Sequence, residues 1–208
     1  LVPWAIRNTM VFNDIVLIST NGGATLLSGN NPSADGGYSP DDPLNEQRNF
    51  SVKDQVAADK RAQQLAIDWI ASNPERFLTL IPLKIFHFWA PDGEGEWSYQ
   101  SGFKNYEKYR YLFRSIRVLN QAFYSLLILG FIAAIFPLWR RRRESTWPWP
   151  LFGYVFCGYL TLITMVFSGQ SRFHFPAMPW IIMTVAWAAV HIFENRAEKS
   201  TAAGSPPK

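Results

Sequence analysis

The sequence predicts a mainly α-helical, polytopic membrane protein with little strand, in which three carboxyl-terminal transmembrane helices follow an extracytoplasmic loop and helix region with juxtamembrane helices. Three observations predict it. Apolar runs cover Val118 to Trp139, Pro150 to Phe167 and Pro176 to Phe193, close to the length of about 20 residues that a helix needs to cross a bilayer. Four consecutive cations, Arg140 to Arg143, separate the first two runs, and a Lys/Arg excess in a short loop marks the cytoplasmic side. The charge is also lopsided, with a net −2 on residues 1–116 and +6 on residues 117–208. That basic excess sits largely in one turn, whereas a nucleic-acid surface spreads its cations along a face with aromatics between them, so nucleic acid is excluded as a partner.

Taken in order, Leu1 and Val2 read as the end of an apolar segment cut short, stopped by Pro3, with Trp4 at headgroup level. The chain therefore reads as a fragment whose amino-terminal transmembrane portion is missing. Val11 to Ser19 is rich in β-branched residues and is the one expected strand. From Thr20 to Asn49 the density of Gly, Pro, Asn and Asp predicts loop, with a short apolar piece at Ala24 to Leu27. A helix is expected from Ser51, with Asp54 in capping-box position. Its apolar stripe is Ala62, Leu65, Ala66, Trp69 and Ile70, opposite Lys53, Lys60, Arg61 and Asp68. Asn73-Pro74 ends that helix and starts the next, Pro74 to Trp89. The apolar part of the second helix is too short to span and is interrupted by Pro82 and Lys84, which suits a juxtamembrane element. Pro91 to Tyr111 is expected to loop back to the bilayer, where Arg114 and Arg117 mark the entry of the first span. Trp139, Trp147 and Trp149 bracket the arginine turn as an interfacial belt. The expected domains are thus 1–117 outside, 118–193 in the membrane and a disordered cytoplasmic tail, 194–208. The lone Cys157 lies in a span and cannot form an internal disulfide.

Several short stretches carry a resemblance. Pro3-Trp4-Ala5-Ile6-Arg7-Asn8, Ile18-Ser19-Thr20-Asn21-Gly22-Gly23, Gly29-Asn30-Asn31-Pro32, Asn73-Pro74-Glu75-Arg76-Phe77 and Ser171-Arg172-Phe173-His174-Phe175-Pro176 resemble, in the same order, the bacterial membrane glycosyltransferases of the family 39 type. These are the dolichyl-phosphate-mannose-protein mannosyltransferase-like, aminoarabinose-transferase-like members of the GT-C superfamily. The resemblance implies an enzyme of the bacterial inner membrane that moves a sugar from a polyprenyl-phosphate donor to a lipid, glycan or protein acceptor on the extracytoplasmic face. It also implies that the catalytic carboxylate lies in an earlier loop that this chain lacks, so the catalytic residue is unknown. The implied cofactor is the lipid-linked sugar itself, and the partners are that donor and membrane lipid. The alternative is a non-catalytic, membrane-anchored binding or assembly subunit of the cell envelope.

A departing lipid phosphate needs cations at the membrane surface. Arg172, in the outer turn between the last two spans, reads either as that cation or as an arginine snorkelling to headgroups. His174 reads as a second phosphate donor or as an interfacial histidine. Arg7 reads as the opposite wall of the donor site, with Asn8, or as a helix-end cation. Asn21, Gly22, Gly23, Asn30 and Asn31 form the candidate substrate loop, in which glycine brings backbone N–H groups close to a ligand or simply makes a turn. Asp35, Asp41 and Asp42 match no EF-hand spacing, and no metal site is expected. Asn49-Phe50-Ser51 matches a glycosylation acceptor. Glu94 and Glu96 beside Trp97 suit either acceptor-sugar contact or an acidic surface, and His87 and His191 read as packing residues.

Overall fold

The structure, a computed structural model, describes residues 2–37, 54–91, 100–140 and 149–203. Arg141 to Arg143, Trp147, Asp41, Asp42, Asn49 to Ser51, and the Glu94, Glu96 and Trp97 group lie outside the described residues. What is described is mainly helical: α1 (Val2–Phe12), α2 (Gly22–Ser28), α3 (Gln55–Ser72), α4 (Pro74–Trp89), α5 (Tyr106–Ala133), α6 (Ile135–Arg140), α7 (Pro150–Val166) and α8 (Met178–Ala203), with a 3-10 helix at Ser171–Ala177. The chain divides into two units, one of Leu1–Ala90 with Thr161–Phe173 and one of Pro91–Leu160 with His174–Lys208.

In the first unit α2 lies on α3 with backbone against backbone. Ala58, Ala62 and Ala66 are buried and recur every fourth residue, which puts three small side chains on one face of α3. Leu26 and Leu27 pack there with Ala62 and Ala66, and Leu65 and Phe167 close the cluster. Seven residues are too few for an independent helix, so α2 depends on caps from elsewhere. The Asp59 carboxylate accepts the Gly23 N–H at 2.7 Å and the Ala24 N–H at 3.3 Å, where the helix dipole favours an anion. Asp59→Ala leaves those N–H groups unsatisfied and is expected to destabilise the unit by about 1–2 kcal/mol. Thermal unfolding in detergent checks this, and a melting point equal to wild type would show that α2 does not need the cap. At the junction of α3 and α4, Asn73 Nδ2 donates to Trp69 O at 2.9 Å, so the asparagine closes α3 while Pro74 opens α4.

Two helical stretches, Tyr106–Trp139 in the second unit and Ser171–Phe193, most of which lies in it, are long and apolar enough to cross a membrane. Only 28% and 22% of their apolar windows are buried, unlike the core helix of a water-soluble protein, which hides its apolar face. Tyr154, on α7, donates its hydroxyl to Phe131 O at 2.6 Å, and the two rings stack at 4.2 Å. The break between α5 and α6 falls at Ala134, just after the carbonyl of Ala133 loses its donor to Pro137, as an interior proline dictates.

Five expectations need correction. Val11 to Ser19 is not a strand: Val11 and Phe12 complete α1, Asn13 turns the chain with a φ of 52°, and no partner strand exists among the described residues. Pro3 does not stop a helix but sits in the first turn of α1, where its missing N–H costs nothing. The piece inside the Gly/Asn-rich loop is a helix, α2. The loop expected to Tyr111 ends earlier, since α5 begins at Tyr106. Of the tail expected to be disordered, residues 194–203 continue α8, consistent with a content of Glu, Ala, Arg and Lys, all good helix formers, while residues 204–208 lie outside the described residues. Of the three expected spans, α7 has 17 residues and rises about 26 Å, short of the roughly 30 Å hydrocarbon core.

Candidate functional site

Within the first unit, the turn that follows α7 is held against the segments around Gly29, Gly36 and Lys84 by three backbone approaches. A Cβ on Gly29 would lie 2.7 Å from Phe167 O, and one on Gly169 would lie 2.1 Å from Lys84 O. Gly36, with a φ of +95°, brings its carbonyl to within 2.9 Å of the Gly169 N–H and its Cα against Leu83, a backbone conformation that glycine adopts without strain. Arg76 adds a bond from Nη2 to Ala34 O at 3.2 Å.

At the centre of this contact lies Lys84, fully buried. Its Nζ donates to Asn30 Oδ1 at 2.8 Å, to Val166 O at 3.2 Å and, more weakly, to Met165 O at 3.5 Å. Asn30 Nδ2 in turn donates to Val166 O at 2.9 Å and Leu26 O at 2.8 Å. Thus Lys84 and Asn30 together satisfy the last carbonyls of α7, which a helix cannot pair internally, and Asn30 links them to the Leu26 carbonyl of α2. Among the described residues no carboxylate forms an ion pair with Lys84, and burial pushes its ammonium down to about 8. In the sequence Lys84 reads only as an interruption of an apolar helix. The available signal was a single cation within such a run, which tends to be functional. In α4 Lys84 is buried in one stripe with Leu80 and Phe88, while Leu78 and Phe86 are exposed.

The shift has a sign. Between pH of about 8 and 10.5 the unfolded chain keeps the lysine proton that the folded chain has lost, so stability rises with pH across that window. Below it both states are charged and the desolvation cost is fully present. Amide protection in α4, corrected for intrinsic exchange, is expected to increase over this range in the wild type and to lose that dependence in Lys84→Met. A flat wild-type profile would show that the ammonium is not desolvated.

Arg172 is exposed on the 3-10 helix, its guanidinium 5.3 Å from the centre of the Phe173 ring. The Phe173 N–H closes the turn on Gln170 O at 3.0 Å. Among the described residues no hydrogen bond or ion pair engages Arg172, which leaves the cation open to an anion. Arg7 is exposed too, lying 5.2 Å from the Trp4 ring and donating to Asn8 Oδ1 at 3.0 Å.

The other candidate residues hold the protein together. Asn8 is buried and donates through Nδ2 to Ile18 O at 3.0 Å, an oxygen that Trp4 Nε1 shares. Asn21 stands before α2, where its carbonyl accepts the Thr25 N–H and hydroxyl. Gly22 has open space around its Cα, whereas Gly23 touches Asp59 and its N–H is already taken. Asn31 Nδ2 donates to Leu27 O and Ser28 O and its Oδ1 accepts the Ser33 N–H. Asn30 is spent on Lys84. In the second unit His174 is buried with its ring stacked on Tyr124 at 4.9 Å, so the side chain expected beside the donor phosphate packs inward instead. Asp35 accepts the Gly37 N–H at 2.8 Å, and no group of three metal-ligating side chains occurs among the described residues. His87 lies edge-on to Phe86, and His191 Nδ1 is 2.9 Å from Trp187 O. Comparison with known protein families, with curated proteins and with solved structures finds no match to this chain.

Proposed function

We propose that this chain is the carboxyl-terminal part of an integral-membrane glycosyltransferase that takes a sugar from a polyprenyl-phosphate donor on the extracytoplasmic face, with Arg172 holding the donor phosphate. The observation that carries the reading is an exposed guanidinium, free of internal partners among the described residues, on a turn that follows an apolar helix. The motif resemblance supplies the reaction class. In the complete enzyme the acceptor oxygen attacks the anomeric carbon, and the bond from that carbon to the phosphate oxygen breaks. The phosphate leaves with the electron pair and a carboxylate outside this chain takes the acceptor proton. Arg172, with Arg7 as a second cation, stabilises the charge that grows on the phosphate.

The reading uses three spans. It takes α7 as the middle one, completed by interfacial Trp149 at one end and Phe167 at the other, with the arginine turn in the cytoplasm and residues 1–117 outside. In support, Thr161–Phe173 belongs to the same compact unit as Leu1–Ala90, which suits a common side of the membrane. Ser33→Cys is expected to react with an impermeant maleimide from the extracytoplasmic side alone. Labelling only from the cytosol would overturn the topology and the donor site together.

The reaction is tested with the full-length protein in membranes and a panel of polyprenyl-phosphate sugars. Transfer from one of them, absent without the lipid carrier, is the expected result. Lipid binding with no transfer from any donor would favour an anchored subunit over an enzyme.

A further inference from the structure

An ammonium group carries three protons, and Lys84 directs them to two other elements of the same unit: Asn30 Oδ1, and the Val166 and Met165 carbonyls. Those two carbonyls end α7, where the helix dipole favours a cation. Asn30 closes the triangle through its own bond to Val166 O. Only five residues separate Val166 from Arg172, and they are tied twice more. The Gly169 N–H donates to Gly36 O, and the Gly169 backbone rests on that of Lys84 itself. Lys84 thus grips the turn with both its side chain and its main chain.

We propose that Lys84 is a positioning residue: by holding the last carbonyls of α7 against Asn30, it sets where the following turn presents Arg172 to a lipid phosphate. The consequence for the phosphate rests on the donor-site reading above, whereas the latch itself does not. A buried lysine that acted only as filler would be replaced without loss by methionine, which has nearly the same length and no desolvation cost. A latch would not, because methionine offers the α7 carbonyls no donor. The ammonium also lies 5.0 Å from the centre of the Phe77 ring, a contact that helps to hold its stem in place.

The test uses the full-length protein in lipid nanodiscs, with Lys84→Met, Arg172→Ala and the double variant, and a long-chain polyprenyl monophosphate as the probe. Hydrogen exchange reads the turn and equilibrium binding reads the phosphate site. Lys84→Met is expected to speed exchange at Gly169 at least tenfold while α5 and α8 keep wild-type protection. It is also expected to weaken lipid-phosphate binding several-fold, with the double variant no weaker than Arg172→Ala alone. In transfer assays the loss falls on KM for the donor rather than on kcat. Asn30→Ala, which removes the other side of the triangle, should speed the same amides and guards against a Lys84 variant that folds poorly. Wild-type exchange at Gly169 in both variants overturns the latch, whatever the lipid data show. Faster exchange with unchanged lipid binding overturns the positioning role and leaves Lys84 a structural residue. If the wild-type protein binds no polyprenyl phosphate although the exchange changes appear, the donor-site reading fails and the latch stands.

Discussion

Adding one methyl group at Gly169 is expected to unseat the turn that carries Arg172 and to destabilise the first unit by about 3 kcal/mol, the upper end of what overpacking a core position typically costs. An ideal Cβ there would lie 2.1 Å from Lys84 O, 2.8 Å from Lys84 C and 2.9 Å from His87 Cβ. The first two atoms belong to the backbone of α4, so no rotamer change relieves the contact. The turn has to lift instead, which breaks the Gly169 N–H bond to Gly36 O and strains the Lys84–Asn30–Val166 triangle. Gly22→Ala is the control, because nothing lies within 4 Å of its Cβ position and a change within about 0.5 kcal/mol is expected. Thermal unfolding in detergent should place Gly169→Ala several degrees below both the wild type and the control. Equal melting points for all three would mean that the turn does not rest on α4.

The helices whose signals are local were legible. The stripe from Ala62 to Ile70 and the Asn73-Pro74 break define α3 and α4, and α4 runs from Pro74 to Trp89 as expected. The failures have different causes, and for α2 and the expected strand what decides is a partner elsewhere in the chain, present in one case and lacking among the described residues in the other. α2 is held at its start by Asp59 and at its end by Asn30 and Asn31, so a seven-residue segment with two glycines had no local reason to be helical. Pro3 is ambiguous by itself, since proline both ends one helix and begins the next. The β-branched residues from Val11 to Ser19 met a propensity but had no neighbouring strand to pair with, and strand propensity largely measures the fit to such neighbours.

Within the site, the sequence indicated a cation between the last two apolar runs, and Arg172 is exposed on the turn that follows α7. It did not indicate what holds that turn. Lys84 lies 54 residues from Asn30 and 82 from Val166, and nothing in the spacing announces the triangle. Asparagines and glycines that suggested a ligand loop serve mostly as caps and close contacts: Gly23 on α3, Gly29 on Phe167, Asn31 on α2. A Gly/Asn-rich stretch signals that backbones approach something closely, and here much of what they approach is the protein itself.

Arg172→Ala in the full-length protein is expected to weaken use of the lipid donor by about 2–5 kcal/mol, as truncating one partner of a hydrogen-bonded charge pair does once the bound lipid has buried it. The expectation rests on a separation of effects. Because the guanidinium makes no hydrogen bond or ion pair with the described residues and is exposed, its removal should change folding stability by no more than about 0.5 kcal/mol. Whatever is lost must then be lost from an interaction with something bound. A lipid phosphate accepts two parallel N–H bonds from a guanidinium but only a point contact from an ammonium, so Arg172→Lys should recover part of the binding and not all of it. An arginine that merely snorkels to headgroups predicts a different pattern, with both variants equal to wild type at every donor concentration. The measurement is therefore the initial transfer rate at limiting donor, where about 2 kcal/mol already corresponds to roughly a thirtyfold loss. Wild-type rates for Arg172→Ala under that condition would remove Arg172 from the donor site and leave the turn without an assigned ligand.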